Sequence, residues 1–284
     1  MQFPTLLPLD GALSVLGGGW LGLPLAQYLA SQGYHVNVSR TTAAGAAAVR
    51  ALGLAAFEVN LTENYLPDNS FWQVPTVLIA VPPQPGQPEA TQVAQYHRLA
   101  NRLQASGVRH VLYVSSTSVY AENNGVVTEA TPLAPQKPGG QVVRALEQVL
   151  QQEPAFRTTV LRFGGLIGYD RLPTDAAAIG RRSRAADTPM NVIHRDDCVR
   201  IIAEIVRLGA WGEVFNACAD EHPTRRDYYA AAAHARGFAL PDLGPVQAQP
   251  YKVVNSEKLK AALGYAFLYP NPLAVFAAAT PPRP

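Results

Sequence analysis

The sequence predicts an α/β fold: a doubly wound parallel sheet with a smaller C-terminal part. Three observations predict it. Short β-branched runs alternate with Ala- and Leu-rich helical stretches over about the first 165 residues. A glycine-rich turn joins the first such run to the first helix, and the alternation stops after Gly168. A parallel sheet covered by helices on both faces requires this strand–helix alternation.

Residues 12–16 read as the first strand, 20–32 as a helix, and Gly33 as its C-terminal stop. A strand at 34–39 and a helix at 42–52 follow. Residues 55–60, 76–81, 110–115 and 158–163 supply further strands, with amphipathic helices at 89–106 and 140–152 between the last three. Beyond Gly168, residues 169–190 hold no clear strand and are rich in Ala and Arg, which suits a substrate loop or short helices. Helices at 196–208 and 223–237 flank a strand at 212–217, and a proline-rich end closes the chain. The expected product is a sheet of six or seven parallel strands flanked by helices, with a site at the carboxyl ends of the strands.

Composition narrows the function classes. The 284 residues are 48% hydrophobic and 15% charged, with a net charge of +2. That is ample chain for a buried core. The near-neutral balance gives no electrostatic ground for nucleic acid or an anionic membrane as partner. Residues 1–10 carry no positive charge ahead of their apolar stretch, unlike a secretory signal. No apolar run reaches the ~18–20 residues of a bilayer span. Cys198 and Cys218 stand apart in no metal-ligand spacing, so reduced buried thiols, no metal site and a cytoplasmic location are expected.

The strongest chemical signal follows the first strand. Gly17, Gly19 and Gly22 fill the G-x-G-x-x-G spacing and open the first helix. The first glycine permits a tight turn, the second lets backbone approach a pyrophosphate, and the third lets helix pack closely on strand. The helix-start amides, at Trp20, Leu21 and Gly22, then face the phosphates. Pro24 is tolerable there only within the first helical turn. The end of the second strand chooses between the nicotinamide cofactors. It carries Ser39, Arg40 and Thr41 and no carboxylate for a ribose 2′-hydroxyl, so a guanidinium and two hydroxyls suit a 2′-phosphate. NADP(H) is therefore favoured over NAD(H), the alternative being a solvated Arg40. On this basis residues 1–168 form a dinucleotide-binding Rossmann domain. Residues 169–284 form a smaller substrate-side region with crossovers back to it.

With these pieces in place, the chain resembles an extended short-chain dehydrogenase/reductase of the NAD-dependent epimerase/dehydratase family over nearly its full length. Asn60-Leu61-Thr62 resembles the family's Asp-Leu pair that contacts adenine. Ser115-Ser116-Thr117-Ser118-Val119-Tyr120 is similar to its S-S-x-S-V-Y-G segment. Leu161-Arg162-Phe163-Gly164-Gly165-Leu166-Ile167-Gly168 resembles the L-R-x-x-x-x-Y-G stretch beside the nicotinamide. Val192-Ile193-His194-Arg195-Asp196-Asp197, Gly212-Glu213-Val214-Phe215-Asn216, Asn255-Ser256-Glu257-Lys258-Leu259 and Leu263-Gly264-Tyr265 continue the likeness in order. Gly18-Gly19-Trp20-Leu21-Gly22 together with Ser115 to Tyr120 looks like the YeeZ-like branch. The resemblance implies a cofactor set that adds Asn60, Leu61, Val81, Pro82, Ser115, Phe163, Gly164 and Gly165 to the turn.

The family's Tyr-x-x-x-Lys pair, in which lysine lowers the tyrosine pKa for proton relay, has no counterpart. Its two positions fall on Gly139 and Val143, and Lys137 is not four residues beyond a tyrosine. Ser116 matches the catalytic serine or threonine. Ser118 stands where some dehydratases place a carboxylate, and a serine cannot act as base unaided. Tyr120 is either a packing residue or a substitute proton donor. Arg144 and Glu147 are expected as a surface pair. His194 and Asp197 are expected to support the chain crossover rather than form a triad with Ser116. Arg171, Arg181, Arg182 and Arg184 either grip an anionic substrate or lie solvated.

The reading that follows is an atypical NADP(H)-dependent oxidoreductase or epimerase acting on a small polar molecule, with Ser116, Ser118 and Tyr120 as catalytic candidates. Two alternatives stand beside it: a non-catalytic NADP(H)-binding sensor, and a sugar-nucleotide epimerase or dehydratase. The expected state is a monomer or a homodimer, and the family resemblance implies that a dimer would use helices flanking the sheet, such as 89–106 and 140–152.

Overall fold

A computed structural model of the chain describes residues 11–180 and 186–277. The first half runs β1 (Ala12–Leu16), α1 (Gly22–Ser31), β2 (His35–Arg40), α2 (Ala43–Arg50), β3 (Ala55–Glu58), β4 (Thr76–Ile79), α3 (Glu89–Ala105) and β5 (His110–Ser116). Then come β6 (Gly125–Val127), α4 (Pro138–Gln152), β7 (Arg157–Phe163), β8 (Gly165–Ile167) and α5 (Ala176–Gly180). The chain closes with β9 (Val192–His194), α6 (Arg195–Leu208), β10 (Val214–Ala217), α7 (Arg225–Arg236), β11 (Lys252–Val254) and α8 (Glu257–Leu263).

Seven strands form one sheet in the order β10-β7-β5-β4-β1-β2-β3, every pairing parallel. All four residues of β4 are buried, as a sheet covered on both faces demands. The period of two sorts side chains between the faces. Leu13, Val15, Leu78 and Leu112 pack with α1 and α6 through Leu25, Leu29, Ile202 and Ile205. Leu16, Val77, Ile79, Val111 and Tyr113 pack with α3 and α4 through Leu99, Leu103, Leu146 and Leu150. The strand order reverses between β1 and β4, the switch point where such sheets open a crevice at their carboxyl ends.

The chain after Gly168 is woven into this layer. β10 forms the edge of the main sheet, and α6 covers the same face as α1. Local chemistry fixes the later helices: Thr224 and Asp227 form a capping box on α7, and Gly209 ends α6 in a left-handed conformation. Four three-residue strands, β6, β8, β9 and β11, were not read as strands from the sequence. They pair as β8–β9 and β6–β11, both parallel, on the carboxyl side of the main sheet. The last segment is tied down by Asp197, whose carboxylate accepts from Tyr265 Oη at 2.8 Å, Leu268 N at 2.7 Å and Tyr269 N at 3.1 Å. Burial raises that carboxyl group above its ordinary value, against those three bonds. Among the described residues no helix is long and apolar enough to cross a membrane.

Candidate functional site

The turn after β1 is held by its own backbone on the inside and left open on the outside. Gly17 takes φ +100°, and a Cβ there would stand 2.9 Å from the Ala80 carbonyl oxygen. The Gly17 amide donates to Ser39 Oγ, the Gly18 amide to Ser39 O and the Gly19 amide to Gly17 O, each at 2.8 Å. A Cβ at Gly22 would meet the Gly17 carbonyl oxygen well inside contact distance, with the carbonyl carbon at 3.0 Å. Gly19 differs: it is exposed, and a Cβ there would have nothing within 4 Å. Residues 17 and 22 are thus glycine for packing, whereas residue 19 leaves backbone open to a ligand. Pro24 falls in the first turn of α1, where its missing amide leaves no bond broken.

A cavity of about 250 Å³ opens beside this turn. Of the expected cofactor residues, Gly17, Gly19, Ser39, Arg40 and Thr41 line it, as do Asn60, Leu61, Val81 and Pro82. Its lining contains no carboxylate. Ser39 is buried and spends its acceptor on the Gly17 amide, so it shapes the turn. Arg40 Nη1 donates to the Gly18 carbonyl, and Asn60 Oδ1 accepts from the amides of Thr62 and Glu63 at 3.0 and 3.3 Å. The side chains of Trp20 and Leu21 point elsewhere. Leu21 is in the core, and the Trp20 indole donates to Asp170 Oδ1 at 2.6 Å. Arg171 and Arg195 lie 4.0 and 5.0 Å from the Trp20 ring, which joins the turn to the later part of the chain.

A second cavity, of about 320 Å³, lies beyond the end of β5. Ser116, Ser118 and Gly165 line it, together with Glu122, Arg171, Asn191, Arg225 and Lys252. Ser116 Oγ accepts from the Ser118 amide at 3.1 Å, which leaves its own O–H to donate outward. Lys252 is buried, and its ammonium donates to the Tyr120 carbonyl at 3.0 Å and to Glu122 Oε1 at 3.1 Å. The Asn191 side chain clips the strand that carries it, donating to Lys252 O at 2.9 Å and accepting from Val254 N at 2.7 Å. No sequence motif marks Glu122, Asn191, Arg225 or Lys252. Three of them come to the cavity through β6–β11 and β9, the elements too short to be read.

Behind this cavity runs a buried polar network that alters two expectations. Glu147 is fully buried and pairs with Arg162, not Arg144, through Nε–Oε1 at 3.0 Å and Nη2–Oε2 at 2.7 Å. The surface pair expected for Glu147 is therefore corrected: α4 turns this carboxylate onto its apolar face, among Val143, Leu146 and Leu150. Ser115 donates its hydroxyl to the same carboxylate, and Arg162 Nη1 donates to Tyr120 Oη at 2.8 Å. Tyr120 in turn donates to Asn216 Oδ1 at 2.8 Å. Its phenol is buried, bonded on both sides, raised by that burial against the pull of Arg162, and absent from the cavity lining. Both sides of the Tyr120 hydroxyl are thus bonded within the fold, to Arg162 and Asn216. Ser115 and Phe163 are likewise buried and outside both linings. Gly164 lets the chain pass 2.6 Å (as a Cβ would measure it) from Asn191 O and Cys218 Sγ.

Gly139 is exposed and Val143 buried in the core, so neither supplies a proton-bearing group. His194 caps α6 by accepting from the Asp196 amide at 3.2 Å and packs 3.9 Å from the Tyr269 ring, and burial lowers its pKa. It lines neither cavity, and Asp197 is occupied with the last segment. Arg181, Arg182 and Arg184 lie outside the described residues. Among those described, no cluster of three His, Cys, Asp or Glu side chains could hold a metal, and both cysteines are free and buried.

Comparison with known proteins agrees with this geometry. The sequence profile of the NAD dependent epimerase/dehydratase family matches residues 13–218. Protein YeeZ of Escherichia coli K12 is 28% identical over 269 residues, covering 92% of this chain and 97% of YeeZ. A short-chain dehydrogenase/reductase superfamily protein from Agrobacterium tumefaciens, solved with bound NAD, superposes with a TM-score of 0.70 at 21% identity, covering 93% of this chain and 94% of that one. The UDP-N-acetylglucosamine 4-epimerase of Bacillus cereus superposes with a TM-score of 0.75 at 15% identity, covering 94% and 97%.

Proposed function

The chain belongs to the NAD dependent epimerase/dehydratase family, and from that premise we propose that it is an NADP(H)-dependent oxidoreductase or epimerase acting on a small polar substrate. The observation that carries the cofactor assignment is the cavity at the glycine turn, with Arg40 and Thr41 in its wall and no carboxylate in its lining. The residues fit a dinucleotide. Gly19 leaves its backbone open where a pyrophosphate would lie, and the amides of Trp20, Leu21 and Gly22 have no backbone acceptor among the described residues. Arg40, fixed by its bond to the Gly18 carbonyl, supplies the charge that a 2′-phosphate needs. Asn60, Leu61, Val81 and Pro82 complete that wall.

A nicotinamide dinucleotide, when bound, supplies a hydride donor or acceptor. The chain's own contribution is to hold the reacting group. Ser116 presents a hydroxyl whose acceptor side is already used by the Ser118 amide, so its proton is directed to a substrate oxygen or nitrogen. Lys252 shares the cavity wall as a cation held by Glu122 and the Tyr120 carbonyl. A cytoplasmic setting belongs to this reading, supported by two buried free thiols, with Cys218 pushed up to about 12 by burial.

The test is a fluorescence titration with NADPH and NADH on the wild type and on Arg40→Ala. Losing one charge-assisted contact, ~1.5–3 kcal/mol, weakens NADPH binding by roughly tenfold or more and leaves NADH unchanged. Tighter NADH than NADPH binding by the wild type would overturn the 2′-phosphate assignment. A second reading, a dinucleotide-binding sensor without chemistry, is favoured by one observation: α4 carries Gly139 and Val143 where the family's acid pair would stand. Hydride exchange on a panel of aldehydes, ketones and imines separates the two, because a sensor shows none.

A further inference from the structure

We propose that the second cavity takes a small acid, its carboxylate or phosphate seated between Arg171 and Arg225. This deepens the reading above by naming the substrate class. The cavity holds three cationic side chains, Arg171, Arg225 and Lys252, against a single carboxylate, Glu122. Lys252 and Glu122 neutralise one another at 3.1 Å. The two guanidinium groups have no such partner: among the described residues neither makes a side-chain hydrogen bond or ion pair, and Arg225 Nε is shut off from solvent with nothing to donate to. Arg171 is held instead by its face, 4.0 Å from the Trp20 ring.

Two guanidinium groups that line one cavity without an ion pair, beside a Lys252 already matched by Glu122, leave that wall with a net positive charge. An oxyanion in the cavity would give the accessible nitrogens of both guanidinium groups the partner that the described residues do not supply, and the planar guanidinium fork matches a carboxylate or phosphate in two-point contact. Each arginine is positioned by a framework element: Arg225 is the first residue of α7, whose capping box fixes the helix start, and Arg171 follows the Gly168 turn at the end of β8. At about 320 Å³ the cavity lies near the lower end of the range for small-molecule sites, which suits a compact acid. With the oxyanion held there, the polar remainder of such a molecule shares the cavity with Ser116, Ser118 and Lys252.

The experiment is calorimetric titration of the full chain with inorganic phosphate and with malonate, in wild type, Arg171→Gln, Arg225→Gln and Gly19→Ala. Wild type should bind at least one probe saturably, and each arginine variant should lose about tenfold or more in affinity. The tighter probe then distinguishes phosphate from carboxylate recognition. Gly19→Ala, whose change lies at the dinucleotide turn, should bind the probe as wild type does. Trp20 fluorescence should shift on binding in wild type and not in Arg171→Gln. Loss in Gly19→Ala but not in the arginine variants would place the anion at the turn and overturn the proposal, as would no saturable binding at millimolar concentrations. NADPH titration is read separately. Retained NADPH binding with no probe binding rejects the substrate class alone, and the reverse rejects the cofactor assignment alone.

Discussion

The glycine turn offers a way to separate folding from ligand binding with a single methyl group at two nearby positions. At residue 22 the methyl would press on the Gly17 carbonyl, with its carbon at 3.0 Å and Val15 Cγ1 at 3.2 Å. Neither is the end of a flexible chain. α1 cannot back away freely, because Leu25, Ala26 and Leu29 on the same helix are fully buried. Gly22→Ala is therefore an overpacking change and should cost ~1–3 kcal/mol. At ~2–4 °C per kcal/mol for chains of a few hundred residues, the melting temperature falls by several degrees. At residue 19 the same methyl meets nothing within 4 Å, and the backbone there is not in the left-handed region. Gly19→Ala should leave the melting temperature unchanged or raise it slightly, since replacing glycine restricts the unfolded chain by ~0.4–1 kcal/mol. Its effect should be on NADPH. The methyl stands between the turn and a pyrophosphate, and losing one charge-assisted backbone contact is worth ~1.5–3 kcal/mol, at least about tenfold in affinity. Thermal melts and NADPH fluorescence titrations on both variants give the four numbers. If Gly19→Ala binds NADPH as the wild type does, the dinucleotide does not approach this backbone and the site assignment fails. If Gly22→Ala melts with the wild type, the close helix–strand contact is not what requires glycine there.

Two further predictions concern the framework that carries the site. Removing the carboxylate of the buried pair, in Glu147→Ala, should cost ~3–5 kcal/mol in urea unfolding, because Arg162 is left charged and enclosed; adding Arg162→Met should restore most of it. A loss below ~1 kcal/mol in the single variant would mean that water reaches the pair. Stability should also fall on acidification. Burial lowers the pKa values of His110, His194 and His222, so below the ordinary histidine value of ~6.5 the unfolded chain binds more protons than the folded one. Their contribution is complete above ~6.5 and is lost as pH drops through the lowered folded values, so the urea midpoint at pH 5.5 should lie below that at 7.5. Equal midpoints would show that these rings titrate as if exposed.

What was legible in the sequence divides according to how local its cause is. The strands of the main sheet and the turn are written in runs of neighbouring residues: Leu13 and Val15 alternate within a few positions, and Gly17, Gly19 and Gly22 are spaced by one helix start. β6, β8, β9 and β11 are three residues each, too short for an alternation to show, and they exist because a partner strand is there. Lys252 reaches the second cavity because β11 pairs with β6, a contact spanning more than a hundred residues that no spacing records. Glu147 is the instructive middle case. Its distance of three residues from Arg144 suggested a surface pair, yet Val143, Leu146 and Leu150 set an apolar stripe on which residue 147 also falls. A carboxylate on such a stripe has to find a buried cation, and Arg162 on the neighbouring strand β7 is that cation. Arg171 and Arg225 are the converse case. There the fold sets two cations on one cavity wall and, among the described residues, gives neither an ion pair, so the anion proposed for them would come from outside the chain.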